Sequence, residues 1–203
     1  MLFIHTLKIF DTHSDIRMIV LVVSPDDEDF VLEILQGYKW NKQIRVVAGG
    51  ETRQESVYSG LQTLAEGSVY VAIHDGARPF LPQGVLSAAI AKVKLNGAVT
   101  VAVPVKDTIA VIADEKVSDL PARDTLWSIQ TPQIFRTNWI LEAHENALAD
   151  SFMATDDATL VRRQGHEVFI QIGGYTNIKI TTPEDIWIGE MILQERKKRG
   201  EWI

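Results

Sequence analysis

The sequence predicts an α/β domain: a Rossmann-like, mostly parallel sheet with helices on both faces. Two observations carry that reading. Runs rich in Val and Ile alternate with helical patterns, and the connections between them are short. One stretch, at about 107–125, breaks this rhythm and predicts a protruding β-arm.

The first strand is Arg17–Val23, stopped by Ser24-Pro25. Ser24 as N-cap, Pro25 at the first helical position and Asp26, Asp27 and Glu28 behind it predict a helix start. Gln43–Ala48 is the second strand and ends at Gly49-Gly50; the helix after it carries Val57, Leu61 and Leu64 on one face. Val69–Ile73 is the third strand, closed by His74-Asp75-Gly76-Ala77-Arg78-Pro79. A helix from about Pro82 to Leu95 leads to the fourth strand, Ala98–Val103, which Pro104 ends. In the arm, Ile109, Val111 and Val117 flank the turn Ala113-Asp114-Glu115-Lys116. Then come a turn-rich stretch, Gln130-Thr131-Pro132-Gln133, helices near Thr137–Ala149 and Asp156–Gln164, the strand Glu167–Ile172, Asn177–Thr181, and a helix from Pro183 into Glu195–Arg199. No repeat or linker divides residues 1–203, so one domain is expected.

Apolar residues make up 46% of the chain and charged residues 23%, the balance of a globular domain with a real core. A net charge of -7 argues against nucleic acid or an anionic membrane as partner, so a phosphorylated ligand would need Lys and Arg at chosen places. Without cysteine there is no disulfide, thiol nucleophile or thiolate metal site. The longest apolar stretch, Met18–Val23, is too short for a bilayer, and His5, Lys8 and Asp11 interrupt any signal peptide; a cytoplasmic location is the expectation.

Ligands of open parallel sheets sit beyond the carboxyl ends of the strands. After the second strand, Gly49-Gly50-Glu51-Thr52-Arg53 and Ser56 open a helix; the glycines let backbone approach a ligand, or simply form a tight turn. After the third, Asp75 could coordinate Mg²⁺ or accept from a ligand hydroxyl, and Arg78 could clamp a phosphate, unless the two merely pair. His74 reads as a packed or hydrogen-bonded histidine. Lys106 and Lys179 also fall at the ligand edge, unlike Lys197 and Lys198 in the charged tail. The five histidines show no metal-ligand spacing, and no Gly-x-Ser-x-Gly elbow or Walker loop is present. Asp156-Asp157 after Thr155 reads as an N-cap with first-turn acids.

Six segments in order, Gly49–Val57, His74–Phe80, Pro104–Thr108, Leu126–Gln133, Thr155–Ala158 and Asn177–Asp185, resemble the 2-C-methyl-D-erythritol 4-phosphate cytidylyltransferases along essentially the whole chain. The resemblance implies a nucleotide-diphospho-sugar transferase-like fold and a homodimer joined through the arm. It implies that CTP meets Gly50, Glu51, Ser56, Asp75, Gly76 and Ala77, and that the methylerythritol phosphate meets Arg78, Thr108, Arg123, Thr131, Thr155 and Lys179, some from the partner. Lys179, Asp75 and Arg78 would form the catalytic set, with Mg²⁺ as cofactor. Glu51 stands where many relatives carry Asp. The implied reaction is attack by the substrate phosphate on the α-phosphorus of CTP, which needs positioning and charge neutralisation and no protein nucleophile. A ribitol 5-phosphate cytidylyltransferase would share fold, nucleotide and chemistry, and a noncatalytic nucleotide-binding dimer would share the fold. The family also opens with a strand and a glycine-rich loop with Arg and Lys; here Met1–Phe10 corresponds to the helix after that loop. The expectation is a truncated sequence that catalyses poorly as written.

Overall fold

In the computed structural model, which describes residues 1–64 and 66–201, the strands form two sheets and an arm. Helix α1 (Leu2–Asp11) precedes β1 (Met18–Val23), α2 (Glu28–Gln36) and β2 (Gln43–Ala48), and β1 and β2 pair in parallel as a two-stranded sheet. Asp11, buried at the end of α1, accepts from the N–H groups of Asn41 and Lys42 and from the Asn41 side chain, which fixes where β2 begins. Ile4 and Leu7 of α1 meet Val31 and Leu35 of α2 in a small core beside this sheet.

Helix α3 (Arg53–Gln62) leads into the larger sheet, whose order is β3 (Tyr70–Ile73), β7 (Trp127–Arg136), β4 (Ala98–Pro104) and β8 (Phe169–Ile172). Strands β3 and β4 each run antiparallel to β7, and β8 runs parallel to β4, so only β7 opposes the common direction. Alternation along β7 and β4 feeds two cores. Ile134, Val99 and Val101 face α1 and α4 (Gln83–Asn96), meeting Phe10, Leu86 and Val93. Phe135 and Ala98 face the other layer, α3, α5 (Thr137–Ala149) and α6 (Asp157–Arg163), meeting Leu61, Ile140 and Leu160. Fully burying a side chain such as Phe135 or Ile140 contributes about 1.5–3 kcal/mol. Gly97 closes α4 in the left-handed region at φ 85°, and a Cβ there would come within 2.5 Å of the Trp139 ring.

The segment expected to be turn-rich, Gln130–Gln133, is instead the middle of β7 and wholly buried. Its polar residues hid the strand because their partners are tertiary. Gln133 bonds the Thr100 and Asp156 side chains and the N–H groups of Asp157 and Ala158. Pro132, which has no N–H to give, falls where the β4–β7 register shifts, between Thr100↔Gln133 and Val101↔Gln130. Ser24 does stand at the N-cap with Pro25 directly after it, but its side chain makes no cap bond. Pro25–Asp27 forms a short 3-10 turn and α2 starts at Glu28.

The arm is present as β5 (Val111–Ala113) paired with β6 (Lys116–Asp119), turned by Asp114 and Glu115, both at positive φ. Every residue of the two strands is exposed. Helix α7 (Pro183–Lys198) opens with a capping box between Thr182 and Asp185.

Candidate active site

Three loops at the carboxyl ends of strands meet in one cleft of about 440 Å³. The turn after β3 supplies Asp75 and Arg78, the segment after β8 supplies Lys179, and the first turn of α3, reached directly from β2, supplies Arg53. Thr131 and Gln133 of β7 lie beneath, with Thr155 and Asp156 before α6. A larger cavity, about 630 Å³, lies between α1 and α7 among His5, Leu81, Met191 and Arg196. It holds none of the sequence-predicted site residues, so the smaller cleft is the candidate site.

Asp75 is the charge centre. Its Oδ2 lies 3.1 Å from Arg78 Nε and 3.4 Å from Lys179 Nζ, and its Oδ1 lies 3.8 Å from Arg53 Nε. Burial alone would raise its pKa; Lys179, Arg78 and Arg53 outweigh that and hold the carboxyl below its ordinary value. Arg78 is fixed a second time, donating from Nη1 to the Asn177 carbonyl at 2.9 Å. Asn177 is itself fully buried and donates to Gln130 Oε1 and the Thr131 carbonyl. Among the described residues Lys179 shows no such second tie, and its side chain is 44% exposed, so it is less fixed than Arg78.

The Asp75 turn is set by His74 and Thr131. His74 Nε2 lies 3.1 Å from the Arg78 carbonyl, which can only accept, so the ring carries its proton there. Nδ1 then accepts from the Thr131 hydroxyl at 3.0 Å, and that hydroxyl accepts the Asp75 N–H at 3.0 Å. Burial against Phe10 lowers the His74 pKa from 6.5 to about 4, which keeps the ring neutral and the relay intact. The sequence reading of His74 as a hydrogen-bonded histidine holds.

Asp75, Arg78, Thr131, Thr155 and Lys179 therefore share the cleft. Gly50, Glu51 and Ser56 lie at the start of α3 outside its lining, with Ser56 Oγ bonded to both Gly50 backbone groups. Gly76 is held by Thr6, whose hydroxyl donates to its carbonyl, and with Ala77 it continues the turn behind Asp75. Thr108 and Arg123 are exposed on the arm, Arg123 donating to the Lys106 carbonyl at 3.3 Å. Lys106 lies over the Tyr175 ring, 3.8 Å from its centroid, and outside the cleft lining. Sequence reasoning named Arg53 in a helix opening, Gln133 in a turn and Asp156 as an N-cap, but none of them as a site residue; the usable signal for Arg53 was its place at the helix start that follows a strand end. Asp156 does cap α6, accepting the Thr159 N–H.

The family profile described as 2-C-methyl-D-erythritol 4-phosphate cytidylyltransferase matches residues 1–195. A protein of that name from Caldanaerobacter subterraneus subsp. tengcongensis is 43% identical over 193 residues, 94% of this chain and 85% of its own. Another from Clostridium novyi is 46% identical over 195 residues, 95% and 84% of the two chains. The crystal structure of 4-diphosphocytidyl-2C-methyl-D-erythritol synthase from Anaerococcus prevotii superposes with a TM-score of 0.87 at 38% identity, covering 95% of this chain and 86% of that one.

Proposed function

The chain belongs to the 2-C-methyl-D-erythritol 4-phosphate cytidylyltransferase family, and from that premise we propose how its cleft performs cytidylyl transfer. CMP passes from CTP to 2-C-methyl-D-erythritol 4-phosphate, giving 4-diphosphocytidyl-2-C-methyl-D-erythritol and pyrophosphate, a step in isoprenoid precursor synthesis. An oxygen of the substrate phosphate bonds to the α-phosphorus of CTP, and the bond from that phosphorus to the bridging oxygen of the β-phosphate breaks. The convergence of Arg78 and Lys179 on Asp75 at the strand ends carries the mechanistic reading. Lys179 leaves Asp75 for the reacting phosphates, Arg78 stays on the Asn177 carbonyl and orients the sugar-alcohol phosphate, and Thr131 and Thr155 lie beside it. The first turn of α3, with Gly50, Glu51 and Ser56, takes the cytidine side together with Asp75, Gly76 and Ala77.

No group of three or more His, Asp or Glu that could hold a metal exists among the described residues. The cleft fits Mg²⁺ held chiefly by phosphate oxygens and water, with Asp75 as the carboxylate that would reach it. Bound there, Mg²⁺ would neutralise charge on the triphosphate.

The active form in this reading is a homodimer. Val111, Ile112, Val117 and Leu120 expose apolar surface on the arm, and Thr108 and Arg123 lie outside their own chain's cleft lining, so they would serve the partner's cleft. No helix among the described residues is long and apolar enough to cross a membrane, and we place the reaction in the cytoplasm. Pyrophosphate release from CTP, Mg²⁺ and the methylerythritol phosphate tests the reaction. Release is expected with this acceptor; release only with ribitol 5-phosphate, or with neither, overturns it.

A further inference from the structure

Asp157 is a fully buried carboxylate engaged on both oxygens. His144 Nε2 lies 3.3 Å from Oδ1, and Arg53 Nη2 lies 2.7 Å from Oδ2. A charge so far from water holds its cationic partner in place, because the carboxylate has nowhere else to be solvated. The anchor is itself braced: His144 of α5 stacks on Tyr58 of α3 at 5.8 Å, and the Asp157 N–H donates to Gln133. The other side of the guanidinium turns to the cleft, with Nε 3.8 Å from Asp75 Oδ1. One side chain, 37% exposed, thus joins the first turn of α3, the turn after β3 and the first turn of α6. The pair Arg163–Asp150 has the same 2.7 Å contact, but both its side chains are solvent-accessible and neither touches the cleft.

We propose that Arg53 is a positioning residue of the transfer site. Anchored on the buried Asp157, it sets the Asp75 carboxylate so that Oδ2 remains for Arg78 and Lys179, and it keeps the nucleotide-side turn of α3 in register with both. Lysine cannot replace it, since Nη2 and Nε of one planar fork serve the two carboxylates at once.

This rests on the CTP-binding reading above, and the test separates the two. CTP affinity by calorimetry, the KM for CTP and the thermal midpoint are measured for the wild-type chain, Arg53→Gln, Arg53→Lys, Asp157→Asn and the Arg53→Gln/Asp157→Asn double variant, with Arg163→Gln as control. Arg53→Gln and Asp157→Asn are each expected to weaken CTP about tenfold, with the loss in KM more than in kcat, the double variant to be no worse than either, and Arg163→Gln to stay within about twofold of wild type. Arg53→Lys recovers the thermal midpoint without recovering the affinity, which a purely structural ion pair would not do. Asp157 cannot touch a ligand, so lost affinity in folded Asp157→Asn reports positioning. CTP affinity within about twofold of wild type in Arg53→Gln, or additive losses in the double variant, overturns the inference. Should Asp157→Asn fail to fold, Arg53→Gln against Arg53→Lys decides by the same criterion. A wild-type chain that binds no CTP sinks the proposed reaction itself.

Discussion

Lys179 and Lys197 carry the same charge, and only their places in the fold distinguish them. Lys179 sits 3.4 Å from a carboxylate with two other cations about it, whereas Lys197 lies in the last turn of a surface helix. Lys179→Ala is expected to lower kcat/KM by about 10²-fold or more, the cost of removing one charge-stabilising donor, and Lys197→Ala to leave it within about twofold. Pyrophosphate release measures both. His74 gives a prediction of a different kind. Its folded pKa of about 4 lies below the unfolded 6.5, so the unfolded chain takes up the proton first as pH falls. The contribution is whole above pH 6.5 and is lost as pH drops towards 4, worth roughly 3 kcal/mol over that window. His5, also lowered by burial, acts in the same direction. Denaturant unfolding at stepped pH should show this slope, and His74→Gln should flatten it. At this scale the sequence disclosed Asp75, Arg78 and Lys179, because each follows a strand end. It concealed Arg53 and Gln133, whose partners Asp157 and Thr100 are remote along the chain and come close only through folding.

Among the elements, the arm and β7 mark opposite limits of legibility. The arm was readable because its apolar residues and turn stand apart from the helix–strand rhythm. β7 was not, because a strand whose centre reads Gln-Thr-Pro-Gln carries no apolar alternation and depends on side-chain partners from β4 and α6. The arm should also be separable from the fold, since every residue of its two strands is exposed. Val111→Asp with Ile112→Asp should halve the mass seen by light scattering and abolish turnover, while the thermal midpoint of the monomer stays within a few degrees. An unchanged mass would remove the arm from the interface.

On the scale of the molecule, fold class was legible from the alternation of apolar runs and helices, but the division into two sheets was not. Periodicity reports which faces of a strand are covered and says nothing about which strands are neighbours. The β1–β2 pair leans on a small core with α1 and α2, while β4 and β7 lie between two larger ones. Amides of β1 and β2 should therefore exchange with deuterium at least about tenfold faster than those of β4 and β7, read by mass spectrometry of peptides.

The division leaves β1, Met-Ile-Val-Leu-Val-Val, with one side unpaired among the described residues, and β3 likewise. Such borders, which β2 and β8 share, are sticky in a directional way: a border of one copy can zip onto another border of the next. Contacts of that kind can add end to end without closing, whereas arm contacts in the proposed dimer are spent once two copies have met. Turbidity in concentrated samples should accordingly keep climbing past the dimer instead of levelling off, and a lysine placed at the middle of β1 should stop the climb.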